Sequence, residues 1–137
     1  MTDQLMTQIL QRSRRIALVG ASDNPARPSH GVMRFLLNAG YDVVPVNPGL
    51  AGQTLLGQKV AASLADIDGD IDMIDIFRRS EHVPALVDEA LAAFPDLQTI
   101  WMQIGVVHDK AAEVARARGV DVVMDRCPAI ERPRLIG

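Results

Sequence analysis

The chain has 137 residues, 48% of them hydrophobic and 4% aromatic, with a formal net charge of -3 and a single cysteine. That is enough chain for one domain with a full core of Val, Ile, Leu, Ala and Met, so disorder is excluded as the default state. The acidic balance argues against nucleic acid as a partner, Cys127 has no second cysteine to pair with, and no apolar run approaches the roughly 18 residues that span a bilayer.

The first residues lack the basic-then-apolar order of a secretory signal. With the reduced cysteine, this gives the expectation of a cytoplasmic protein and of one domain over residues 1–137.

Residues 2–13 read as a helix, with Leu5, Met6, Ile9 and Leu10 at helical spacing and Thr2 or Asp3 as its cap. Residues 15–19 form a first strand whose near-continuous apolar run fits burial on both faces. A loop with Pro25 and Pro28 follows. The next helix is expected over residues 30–39, capped by Ser29 and closed by Gly40.

The second strand covers residues 41–46 and ends in the turn Asn47-Pro48-Gly49. Residues 50–59 read as irregular, 60–67 as a short helix with Ser63 near its start, and 68–70 as a turn. Residues 71–77 form the third strand, in which Asp72 and Asp75 are unusual and fit a strand edge or a bulge. Helix is expected over 80–94, with Pro84 in its first turn, and over 108–118, closed by Gly119. Strands are expected over 99–104 and 120–124. Residues 125–137, with Pro128 and Pro133, read as a tail wrapping the surface. Strands alternating with helices make this an α/β chain with a mainly parallel five-stranded sheet and right-handed crossovers.

In such a sheet, ligands bind beyond the carboxyl ends of the strands. The informative residues are therefore Gly20-Ala21-Ser22, Asn47-Pro48, Phe77-Arg78-Arg79, Gln103-Ile104-Gly105 and Asp125-Arg126-Cys127-Pro128. The first of these groups joins a strand to a helix N-terminus. Backbone N–H groups there have no helical partner and carry the positive end of the dipole, which suits a phosphate. The loop is not G-x-G-x-x-G, and the second strand ends without an Asp or Glu for a ribose hydroxyl. Both facts count against a nicotinamide dinucleotide. They leave room for another ligand with a pyrophosphate and a nucleotide.

Val19-Gly-Ala-Ser, Val46-Asn-Pro, Phe77-Arg-Arg-Ser-Glu-His-Val, Trp101-Met-Gln-Ile-Gly-Val and Met124-Asp-Arg-Cys-Pro-Ala-Ile-Glu131 stand in order along the chain. Together they resemble the small CoA-binding-domain proteins of bacteria and archaea, which are similar to the CoA-binding domain of the succinyl-CoA synthetase alpha subunit. The likeness runs over residues 14–131. It implies a Rossmann-like, doubly wound fold with helices on both faces and a bound coenzyme A or acyl-CoA. It also implies that Gly20, Ala21 and Ser22 lie against the CoA phosphates and that Asn47 and Pro48 line the cleft near the nucleotide. Phe77 and Arg78 would then border adenine or pantetheine, with Gln103 and Gly105 further along the crevice. Many relatives carry a lysine after the Asn-Pro pair. Here the residue is Gly49, which leaves Arg27, Arg78 or Arg79 to meet that phosphate. The phosphorylated histidine of the synthetase lies in a later domain that this chain lacks, so ligase activity is not implied.

Each site residue also has a plainer reading. Gly20, Ala21 and Ser22 serve close strand-to-helix packing, Asn47 caps its turn, and Phe77 belongs to the core. One of the adjacent arginines points to solvent, and Gln103 is a structural clamp. Trp101 reads as packing or a subunit contact. Cys127 reads as a small buried hydrophobe or as a reactive thiol beside the CoA thiol. His30, His82 and His108 lack metal-ligand spacing, and no nucleophile–base–acid set stands out, so neither a metal nor a catalytic residue is assigned. The alternatives to a CoA-binding protein are an NAD(P)-dependent oxidoreductase, an acyl-CoA-handling enzyme using Cys127, and an interaction protein. A homodimer is compatible with so small a domain.

Overall fold

A computed structural model describes residues 2–137. In chain order the elements are α1 (Asp3–Arg12), β1 (Arg15–Val19), α2 (Pro28–Asn38), β2 (Asp42–Val46), β3 (Thr54–Leu55), β4 (Gln58–Lys59), β5 (Met73–Ile76), α3 (Val83–Ala93), β6 (Thr99–Met102), α4 (Asp109–Ala117), β7 (Asp121–Val123) and α5 (Pro128–Leu135). Five strands form one parallel sheet in the order β2-β1-β5-β6-β7. The fold is α/β and Rossmann-like. Its order reverses between β1 and β5, so the switch point lies there.

Alternation along the strands divides the core in two. Ala17, Val19, Ile74, Ile76, Ile100 and Met102 face α3 and α4. Ile16, Leu18, Met73, Trp101 and Val123 face the other side, where α1 and α2 contribute Met6, Ile9, Met33 and Leu36. Asp72 lies just before β5, at the leading edge of the sheet. Its carboxylate accepts from the Arg14 and Arg15 amides at 3.0 and 2.9 Å and ties the starts of two strands together. Asp75 is fully buried in the middle of β5, at the register of Leu18 and Trp101.

Three local expectations are corrected. First, α2 begins at Pro28, so Ser29 is its second residue rather than its cap. The proline has no N–H to satisfy and its fixed φ suits a first helical position, which draws the start forward. Second, residues 60–67 do not form an α-helix. Only Leu64–Asp66 make a 3-10 turn, because the Ser63 hydroxyl bonds the Asp66 carboxylate and caps no amide. The preceding stretch is a small hairpin, β3 and β4, turning at Leu56 and Gly57, both of which have positive φ.

Third, the tail is helical. Pro128 opens α5, and Pro133 inside it costs one bond near the end of a short helix. The element is held from outside. Arg134 bonds Asp3 at 2.8 Å and Glu131 at 2.7 Å, and the Arg132 guanidinium lies over the Tyr41 ring. Trp101 is fully buried and its indole N–H donates to the Arg126 carbonyl at 2.8 Å, so its role is packing.

Candidate ligand-binding cleft

A cleft of about 870 Å³ opens at the carboxyl ends of β1, β5 and β6. Gly20, Ala21, Ser22, Asn47, Phe77 and Arg78 line it, and so do Gln103 and Gly105. Pro48 lines a smaller adjoining recess of about 330 Å³, which shares Gly20, Asn47 and Arg78 with the cleft. The switch point has thus gathered the residues that follow four separate strands.

Gly20 is dictated by the sheet. Its φ is +92°, and a Cβ built there would stand 2.5 Å from the Phe77 carbonyl oxygen. Only a residue without a side chain lets the end of β1 pass so close to the end of β5. The Gly20 and Ala21 amides are not free donors, since both bond the Val46 carbonyl, at 3.0 and 3.2 Å. Asn47 is committed as well. Its amide donates to the Ala21 carbonyl at 2.7 Å and accepts from the Gly49 amide at 2.8 Å, so it clamps the first loop to the exit of β2.

The available donors lie one step further along. Among the described residues, the Ser22 and Ser29 amides find no acceptor within the chain. Local turns hold this loop: the Ser22 hydroxyl accepts from the Asn24 amide and the Asn24 side chain accepts from the Ala26 amide. Ser29 is buried in the first turn of α2, whose N-terminus points at the cleft through Arg27, Pro28 and Ser29. α5 repeats the arrangement, with Cys127 in the cap position and Pro128 first in the helix. Cys127 and Ile130 both reach the lining.

The charge pattern of the lining is one-sided. Arg27, Arg78 and Arg79 line the cleft, and no Asp or Glu does. Arg79 stands 3.9 Å from Glu81, whereas Arg27 and Arg78 have no ion-pair partner among the described residues. A chain of net charge -3 has concentrated unpaired cations at one place, where two helix N-termini also point. The loops after β6 and β7 add a different surface. Ile104 is 60% exposed and Ile130 is 55% exposed, and both lie at the cleft with Val106. One depression therefore offers a cationic, donor-rich part and an apolar part.

The lining residues beyond the expected set are Pro28, Ser29, Val32 and Val106, together with Ile130 of α5. Reading residues 125–137 as an irregular tail hid α5. The pattern Cys127-Pro128 before a run ending in Arg132 and Leu135 was the available signal for a helix start. The histidines are dispersed: His30 is buried in α2, His82 precedes α3, and His108 caps α4 by accepting from the Ala111 amide. No grouping of three His, Cys, Asp or Glu suited to a metal occurs among the described residues. No helix there is long and apolar enough to cross a membrane.

A family model described as a CoA binding domain matches residues 14–133. The uncharacterized protein YneT of Bacillus subtilis is 44% identical over 120 residues, covering 88% of this chain and 86% of that protein. A hypothetical protein from Pyrococcus horikoshii superposes with a TM-score of 0.93 at 36% identity, over 100% of this chain and 94% of the other. The structure of cell-free ID.343 from Thermus thermophilus gives 0.92 at 36% identity, over 99% and 100%.

Proposed function

The chain belongs to the CoA binding domain family, and from that premise we propose that it binds coenzyme A or an acyl-CoA in the cleft at the switch point. The observation that carries this reading is the lining of three arginines and no carboxylate on an acidic chain. A diphosphate seated at the N-terminus of α2 takes the Ser22 and Ser29 amides as donors and the Arg27 and Arg78 guanidiniums as counter-charges. Gly20 and Ala21 form the floor beneath it and keep bulk away. Asn47 holds that floor in place, and with Pro48 it borders the adjoining recess on the nucleotide side. Phe77 offers a ring face, while Gln103 and Gly105 extend the wall toward Ile104, Val106 and Ile130, where the pantetheine or acyl part finds apolar surface. Arg27 and Arg78 stand in for the lysine that Gly49 replaces.

Calorimetric titration with CoA, acetyl-CoA, NAD+ and NADP+ tests this. Saturable binding of CoA or its thioester, with the dinucleotides failing to compete, supports the proposal. Binding of a nicotinamide dinucleotide with no response to CoA overturns it in favour of a redox role.

A further inference from the structure

Cys127 lines the cleft, and binding of CoA by itself gives it no part. It stands in the cap position of α5, is 7% exposed, and its thiol makes no capping bond. Its backbone is held on both sides. The Arg126 amide donates to the Met102 carbonyl at 3.3 Å, the buried Trp101 indole donates to the Arg126 carbonyl at 2.8 Å, and the Cys127 carbonyl accepts from the Glu131 amide at 2.9 Å. The Asp125 carboxylate accepts from the Gly105 amide at 2.7 Å, which ties this turn to the loop that carries Ile104. The residue is therefore fixed at the apolar part of the cleft, one turn before Ile130. What the cleft binds can reach its sulfur, while the rest of the residue is packed away from solvent.

A second observation marks the same cleft as built for a ligand, at its cationic part. The hydroxyls of Ser13, Ser22, Ser63 and Ser80 each bond within the chain. That of Ser29, a residue only 4% exposed, bonds nothing among the described residues, where every polar side-chain atom sealed from solvent has a partner. This hydroxyl therefore opens on the cleft that Ser29 lines, and a ligand oxygen would satisfy it. A ligand whose phosphates meet Ser29 and the arginines brings its far end to Cys127. In coenzyme A that far end is a thiol.

Two sulfur reactions suit such a pair. Acyl transfer from a thioester draws on a neighbouring base, and no histidine, aspartate or glutamate lines the cleft. Thiol–disulfide exchange needs a thiolate, a disulfide and access between them. We propose that Cys127 takes up CoA by exchange with a disulfide of CoA, so that the chain holds CoA as a mixed disulfide. This rests on the reading of the cleft as a CoA site. The Cys127 sulfur, as thiolate, attacks the CoA sulfur of CoA–S–S–R. A new S–S bond joins Cys127 to CoA, and the old one breaks. R–S⁻ leaves with the electron pair and takes up from solvent the proton that Cys127 released. Cys127 is oxidised, R is reduced, and the number of disulfides is unchanged. Entering and leaving thiolates meet arginines and no carboxylate in the lining.

The experiment is incubation of the reduced protein with CoA disulfide, read by intact-mass spectrometry without reductant. One CoA moiety per chain is expected, and dithiothreitol should remove it. The chain has a single cysteine, so such an adduct locates itself at Cys127. Labelling should run at least about tenfold faster than with glutathione disulfide at equal concentration, because the cleft holds the reagent beside the thiol. Excess ADP should slow the CoA reaction and leave the glutathione one unchanged. No adduct from CoA disulfide or from the CoA–glutathione mixed disulfide, equal rates with CoA and glutathione disulfides, or indifference to ADP overturns the inference while leaving CoA binding intact. Acetylation of Cys127 by acetyl-CoA, with no adduct from either CoA disulfide, overturns it in favour of thioester chemistry. A wild type that ignores reduced CoA in calorimetry defeats the underlying reading instead.

Discussion

The two faces of the sheet are built from the same strands and differ in kind. The face under α3 and α4 is apolar throughout, from Ala17 and Val19 across to Ile100 and Met102. Every buried polar residue among those described belongs to the other side. Ser13 ends α1, Ser29 and His30 lie in α2, and Glu131 lies in α5, while Asp75, Thr99 and Gln103 sit at strand positions turned the same way. Buried polar groups cost stability unless each is paired. One face thus serves cohesion alone. The other accepts that cost where the cleft opens, as expected of a surface kept for recognition.

The largest effect should come from the seam where the faces meet. Gly20→Ala forces a side chain into a backbone carbonyl at positive φ. It should lower unfolding free energy by about 4 kcal/mol, read from urea melts. Next is the apolar face, where Ile74→Ala leaves a cavity and should cost about 3 kcal/mol. Its CoA affinity should match wild type, since Ile74 is fully buried away from the cleft. A binding defect there would erase the distinction between the faces.

The recognition face should show a dependence on pH that the other lacks. Asp75 is held neutral in the folded chain above its ordinary value of 3.8, and it ionises freely when unfolded. The folded state then binds the extra proton. Its stability contribution is complete below about 3.8 and is lost as pH rises through the raised folded value. The gap between Asp75→Asn and wild type should therefore widen with pH, by at most about 1.4 kcal/mol per unit, in melts taken from pH 4 to pH 8. The smallest effect on stability falls at the rim. Arg27→Ala and Arg78→Ala should leave stability within about 0.5 kcal/mol yet weaken CoA about tenfold each, with reduced salt dependence in titrations.

The sheet was legible because five strands stand between helices and each has its own apolar run. The strand–loop–helix opening was legible too, since strand, small residues and helix follow one another locally. What could not be read depended on neighbours distant in the chain. The meaning of Gly20 lies in Phe77, which pairing across the switch point brings against it. Asp75 looked like an edge residue because Gln103, its partner, stands 28 positions away and is reached only through the β5–β6 register. α5 was hidden by Pro133, a helix breaker tolerated here because the contacts of Arg132 and Arg134 hold the segment from outside.

A crystal structure with coenzyme A bound addresses the central claim most directly. The account predicts the diphosphate at the N-terminus of α2, within hydrogen-bond distance of the Ser22 and Ser29 amides and flanked by Arg27 and Arg78. Coenzyme A seated instead at the opposite end of the sheet, in the hollow between Arg14, Tyr41 and Arg132, would contradict it.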